Sequence, residues 1–203
     1  MIVNFGCGAN PASGDSGYVN IDGSLTVRLA RLPLPATVFG SRADFVRVIR
    51  ANRIQYGTAR HLKFPNDSLD GFYASHVLEH LSKADCEDLL FRLRHWLKPS
   101  GILRVVLPDL KRAAKSYVAG EIDASRFVAG TYLAADTLLW WEILFGHSRH
   151  RWMYDAASLT QLLQKLNFRQ IHECKMHQGL LPALSCLDIP SRESESFYIE
   201  ARK

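Results

Sequence analysis

A chain of 203 residues is long enough for one domain with a sizeable core. An apolar fraction of 47% and a charged fraction of 22% fit an ordinary globular protein and exclude disordered, collagen-like and low-complexity classes. The net charge of +5 would suit an anionic partner, but Arg47, Arg50 and Arg53 recur at helical spacing as a solvated face, so nucleic acid is not an expected partner.

Met1 to Phe5 reads as a short buried strand, because a β-rich apolar run ends at a glycine. Gly6-Cys7-Gly8-Ala9-Asn10-Pro11 is then a tight loop, and Tyr18 to Ile21 a second strand closed by Asp22-Gly23. A long connection with Pro33 and Pro35 leads to a helix around Arg42 to Arg50, then a third strand over Arg53 to Tyr56. Residues Leu62 to Asp67 form a loop before a fourth strand, Gly71 to Ala74. Ser82-Lys83-Ala84-Asp85 has the pattern of a capping box and opens an apolar face of Cys86, Leu89, Leu90, Leu93 and Leu97, which Pro99-Ser100-Gly101 stops. Ile102 to Leu107 is an almost unbroken apolar strand, as in a parallel sheet covered on both faces. Helices are expected over Leu110 to Ala119, over Ser125 to Phe145, and from a cap at Asp155 or Ser158 to Leu166. Strands over Arg169 to Cys174 and Phe197 to Ala201 close the chain.

Strands alternating with helices imply βαβ units, hence an α/β fold with a mostly parallel sheet flanked by helices. The alternation breaks between Asp109 and Asp155. This helical insertion after the fifth strand follows a strand's carboxyl end, where open α/β sheets bind ligands, so residues 109–155 are expected to cover a substrate site within one domain.

Cys7, Cys86, Cys174 and Cys186 form no Cys-x-x-Cys pair and are expected to be free, buried thiols. The start lacks the basic flank and long apolar run of a secretory leader. The most apolar later stretch, Tyr132 to Phe145, contains Asp136 and Glu142 and is too short for a membrane span. Both readings make the cytoplasm the default expectation.

Glycines at 6 and 8 let the backbone approach a ligand closely and permit positive φ. Asp22, ending the next strand, can accept both hydroxyls of a ribose. The third glycine of a dinucleotide fingerprint is missing, which disfavours a nicotinamide cofactor.

Together these stretches resemble the class I S-adenosylmethionine-dependent methyltransferases. Val3 to Gly8 resembles their first motif and Val19-Asn20-Ile21-Asp22 the acidic motif that follows. Leu62 to Asp70, Tyr73 to Leu81, Leu97 to Leu103 and Phe197 to Ala201 resemble later segments in the same order. The resemblance implies a Rossmann-like seven-stranded sheet, S-adenosylmethionine as cofactor and S-adenosylhomocysteine as product. It implies cofactor contacts at Gly6, Cys7, Gly8, Asp22, Gly23, Thr58, Ala59, Leu62, Ser75 and His76. Thr58 departs from the family, which often has an acidic residue there to meet the adenine amino group. Adenine contact would then fall to the Ala59 backbone or to packing by Leu62. Only 14 positions separate Gly8 from Asp22, so the usual first helix must be very short or missing. A subgroup often linked with glycan or cell-surface biosynthesis is similar there and at His150-Arg151-Trp152-Met153-Tyr154-Asp155.

A sulfonium methyl is already electrophilic, so the protein must chiefly align a nucleophile. His76, just past the fourth strand, is the expected general base, because an imidazole titrates near neutral pH. His147, His150, Arg151 and Trp152 are the expected acceptor-binding residues, since guanidiniums favour anionic groups and an aromatic face carries a planar ring or sugar. His147 and His150 have a spacing that could suggest a metal, but no third ligand is apparent, so no metal is expected. Trp140 and Trp141 are expected within the cover or at a homodimer interface. The reaction class expected is methyl transfer to an oxygen or nitrogen of a small-molecule or glycan-linked acceptor. The alternatives are a non-catalytic cofactor-binding or regulatory domain and an aminopropyltransferase.

Overall fold

A computed structural model describes residues 1–13, 16–132 and 149–203. Seven strands form one sheet: β1 (Ile2–Phe5), β2 (Tyr18–Asp22), β3 (Gln55–Tyr56), β4 (Leu69–Ser75), β5 (Leu97–Pro108), β6 (Arg169–Cys174) and β7 (Ser196–Arg202). Their order is β3-β2-β1-β4-β5-β7-β6, parallel from β3 to β5, with β7 antiparallel to both of its neighbours. This is the mostly parallel sheet expected from the alternation and the Rossmann-like fold that the resemblance implies, with its order reversing between β1 and β4. Phe5 of β1 stands between Ile21 of β2 and Ala74 of β4, so three carboxyl ends open at one edge.

Among the described residues the α-helices are α1 (Leu25–Ala30), α2 (Ala43–Ala51), α3 (Lys83–Trp96), α4 (Leu110–Val118), α5 (Ala124–Tyr132), α6 (Ala156–Lys165) and α7 (Leu184–Leu187). Ser82 caps α3 by accepting from Asp85 N–H, and Asp155 caps α6 in a reciprocal box with Ser158. The α3 face of Cys86, Leu89, Leu90 and Leu93 is buried against the sheet, each leucine contributing roughly 1.5–3 kcal/mol. Between Gly8 and Tyr18 the described residues contain no α-helix. Instead α1, capped by Ser24, lies inside what reads in sequence as a long connection. The Pro99–Gly101 stop is looped out within β5, where pairing with β4 jumps from Leu97 to Ile102.

Arg104 interrupts the apolar run of β5 and is wholly buried. Its guanidinium donates to Asp188 at 2.7 Å, to Glu200 at 3.2 Å and to the Gln178 and Lys175 carbonyls. Tyr73 donates to the other Asp188 oxygen. This network pins residues 175–188 over the sheet and fixes where the following segment enters the ligand-facing edge.

The insertion leaves and rejoins the core at one point: Asp109 bridges Tyr154, and Leu110 N–H donates to the Tyr154 carbonyl. Asp109 caps α4, and Tyr117 stacks on Phe127 of α5. The expected helix from Ser125 to Phe145 is described only as far as Tyr132; Trp140 and Trp141 lie outside the described residues. No helix among the described residues is long and apolar enough to cross a membrane. Cys7 and Cys86 are buried as expected, but Cys174 is half-buried and Cys186 exposed, because they lie in the edge strand β6 and the surface helix α7.

Candidate functional site

The turn after β1 is built by two left-handed glycines, Gly6 at φ +69° and Gly8 at φ +49°. Gly6 and Cys7 N–H groups both donate to the Ile21 carbonyl, which folds the loop onto the end of β2. A Cβ on Gly6 would lie 2.2 Å from Val77 Cγ2, so only glycine fits between β1 and the turn after β4. The Asp22 carboxylate accepts from Gly8 N–H at 3.0 Å and Ser24 N–H at 2.9 Å. These bonds fix both oxygens at the mouth of a cleft and leave lone pairs for further donors.

That cleft holds about 450 Å³ and is lined by Gly6, Gly8, Asp22, Gly23, Thr58, Ala59, His76 and His80, among others. A second cavity of about 330 Å³ continues past the loop, with Cys7, Ser75 and His76 in its wall. Nine of the ten residues expected to meet the cofactor therefore border these two spaces. Leu62 does not: it is buried in the core, packed where a Gly57 Cβ would sit. The Thr58 hydroxyl is engaged with His61 Nδ1 at 2.7 Å.

Sequence reasoning missed the far wall. Asn10, Leu187, Ile189 and Arg192 line the second cavity, and Arg192 also faces the first. Asn10 donates to the Leu187 carbonyl, closing the loop against the segment that Arg104 anchors. A lone arginine 170 residues from Asp22 carries no local pattern that could have revealed it.

His76 occupies a left-handed conformation, φ +53°, with its N–H on the Val106 carbonyl. Its Nε2 meets Ser196 Oγ at 2.9 Å, and its Nδ1 faces Glu79 Oε1 at 3.5 Å. Burial, with Arg192, His150 and His80 nearby, pushes its imidazolium down to about 3. The ring is thus neutral and held at Nε2 by Ser196, which orients it in the wall of the cleft.

Glu79 is 1% exposed, and neither carboxylate oxygen has a hydrogen-bond partner among the described residues. Burial pushes its carboxyl up to about 8. Its backbone carbonyl accepts from both Arg151 and Trp152 N–H, which brings the end of the insertion onto the turn after β4. His150 thereby lies beside His80, with ring centroids 5.0 Å apart and planes tilted by 58°. The metal-ligand grouping not expected from sequence is thus present in space: ligand atoms of Glu79, His80 and His150 lie within 4.8 Å of one another.

His150, Arg151 and Trp152 border a third cavity of about 380 Å³, largely apolar, with Leu110, Phe127, Val128, Thr131 and Met153. Arg151 and Trp152 are exposed, and Lys83 lies over the Trp152 ring at 5.0 Å. His147 lies outside the described residues.

The sequence profile of the family described as "methyltransferase domain" matches residues 14–173. Many solved structures share the fold at low identity, among them the following three. A SAM-dependent methyltransferase from Archaeoglobus fulgidus is 16% identical, with TM-score 0.55, covering 100% of this chain and 85% of that one. One from Thermotoga maritima is 15% identical, with TM-score 0.56, covering 100% and 82%. One from Mesorhizobium loti is 18% identical, with TM-score 0.55, covering 100% and 90%. No curated protein matches the chain.

Proposed function

The chain belongs to the methyltransferase domain family and uses S-adenosylmethionine, and on that premise we propose that it methylates an oxygen or nitrogen of a small-molecule or glycan-linked acceptor held against residues 150–153. The observation that carries this reading is the pair of neighbouring spaces around Gly6–Gly8, which share Gly6, Gly8, His76 and Arg192 in their walls and include the Asp22 carboxylate in one of them. Asp22 takes the ribose hydroxyls, and the Thr58–Ala59 turn borders the adenine. Arg192 and Asn10 receive the charged methionine end.

Methyl transfer forms a bond from the acceptor's lone pair to the methyl carbon while the methyl–sulfur pair returns to sulfur. The donor supplies the electrophile, so alignment is the protein's main contribution. His76 and Ser75 border the space past β4 and hold its shape. The cavity of His150, Arg151 and Trp152 gives the acceptor an apolar floor and a cationic rim. Its described lining carries no acidic side chain, which counts against a polyamine acceptor and so against aminopropyl transfer.

The test is incubation of the pure protein with methyl-labelled S-adenosylmethionine and hydroxyl- or amine-bearing metabolite and glycan fractions. Label should move to an acceptor fraction. Tight binding of S-adenosylhomocysteine with no transfer to any fraction would instead favour the non-catalytic binding domain.

A further inference from the structure

The geometry points to a metal site: Glu79, His80 and His150 bind one divalent first-row transition ion, which in turn ligates a hydroxyl of the acceptor. The three come from two segments, the turn after β4 and the end of the insertion, joined by the two N–H bonds to the Glu79 carbonyl. Their ligand atoms cluster within 4.8 Å, and His80 Nε2 lies 3.9 Å from Glu79 Oε1.

Three further features fit a cation better than a structural cluster. First, the Glu79 carboxyl is sealed from water and neither oxygen has a hydrogen-bond partner among the described residues, the ring nitrogens of His76 and His80 lying 3.5 and 3.9 Å from Oε1; a bound cation relieves this costly arrangement. Second, His80 Nδ1 meets the Arg149 carbonyl at 3.2 Å. A carbonyl can only accept, so Nδ1 carries the proton and Nε2 presents its lone pair to Glu79. Third, His150 Nδ1 is buried without a hydrogen-bond partner among the described residues, a nitrogen that a bound cation would satisfy. Ligating histidines are characteristically held as His80 is, with the distal N–H on a carbonyl. Two imidazoles and one carboxylate suit Mn²⁺, Fe²⁺, Co²⁺ or Zn²⁺ and leave coordination positions open, whereas Mg²⁺ and Ca²⁺ prefer all-oxygen sites.

The location gives the ion its use. His80 borders the cleft assigned to the methyl donor, and His150 borders the apolar cavity assigned to the acceptor. An ion between them would hold an acceptor hydroxyl and lower its pKa. The hydroxyl proton leaves to water, the oxygen lone pair forms the bond to the methyl carbon, and the methyl–sulfur pair returns to sulfur as a neutral thioether. This step rests on the methyltransfer reading above and narrows its acceptor to a hydroxyl compound.

The experiment is titration of metal-stripped protein with Mn²⁺ and with Zn²⁺ alone, read by calorimetry and by elemental analysis after dialysis. Wild type should hold one equivalent, and Glu79→Gln and His150→Ala should each weaken binding at least tenfold. S-adenosylhomocysteine affinity, measured in parallel, should stay within a few-fold and shows that both variants are folded. Absence of stoichiometric metal in wild type, or equal affinity in a folded variant, overturns the site. Cofactor binding without metal binding sinks this inference and leaves the methyltransfer reading standing. Metal binding without cofactor binding does the reverse.

Discussion

Arg104 and Asp188, 84 residues apart, meet at 2.7 Å between side chains that are both fully buried. Removing the guanidinium would leave the Asp188 and Glu200 carboxylates sealed from water without their counter-charge. Arg104→Met should therefore cost about 3–5 kcal/mol of stability. Chemical denaturation measures this, and a loss under about 1 kcal/mol would show that the network is unimportant. Hydrogen exchange in residues 175–195 should rise in the same variant, since Arg104 also holds the Lys175 and Gln178 carbonyls.

Asp22 joins the glycine loop to the start of α1 through Gly8 and Ser24. Loss of a charge-assisted hydrogen bond costs about 1.5–3 kcal/mol, so Asp22→Ala should weaken S-adenosylhomocysteine roughly tenfold or more. Calorimetry giving equal affinities for the variant and wild type would remove Asp22 from the cofactor site.

Gly6→Ala meets two obstacles, a positive φ and the methyl of Val77 at 2.2 Å. It should reduce both stability and cofactor affinity, and Val77→Ala in the same chain should restore part of each. Full affinity in the single Gly6→Ala variant would refute the close-approach argument. Complete rescue would show that the backbone strain costs nothing.

Arg151 is exposed on the rim of the cavity proposed for the acceptor and does not line the cleft proposed for the cofactor. Once an acceptor is known, Arg151→Ala should raise its KM about tenfold with kcat little changed. Affinity for S-adenosylhomocysteine should be unaffected. A variant that instead loses cofactor affinity, or lowers kcat alone, contradicts the assignment.

Thiol reactivity should follow burial. Burial pushes the Cys86 thiol up to about 11 and raises Cys7 further, aided by the Asp22 charge. Iodoacetamide near pH 8 should label the exposed Cys186 first and spare Cys7 and Cys86 until the chain is unfolded. Mass spectrometry of the labelled peptides decides; early modification of Cys7 would mean that the glycine loop opens readily.

The local order of the chain settled a good deal by itself. The alternation of apolar strands and amphipathic helices specified the sheet, because period and length distinguish the two. The β1 turn was legible because a glycine pair directly after an apolar strand marks a tight turn, and Asp22 because it ends the next strand. The caps at Ser82 and Asp155 were legible because their bonding is local. What stayed hidden depends on long-range contact. Arg104 reads as an intruder in an apolar strand until Asp188 and Glu200 arrive from distant parts of the chain. Arg192 reaches the two cavities around the glycine loop only because that network positions the segment before it. His150 sits beside Glu79 and His80 only because two backbone bonds return the insertion to the turn after β4. A side chain's pairing and burial are set by whatever the fold places around it, and no spacing in the sequence records that distance.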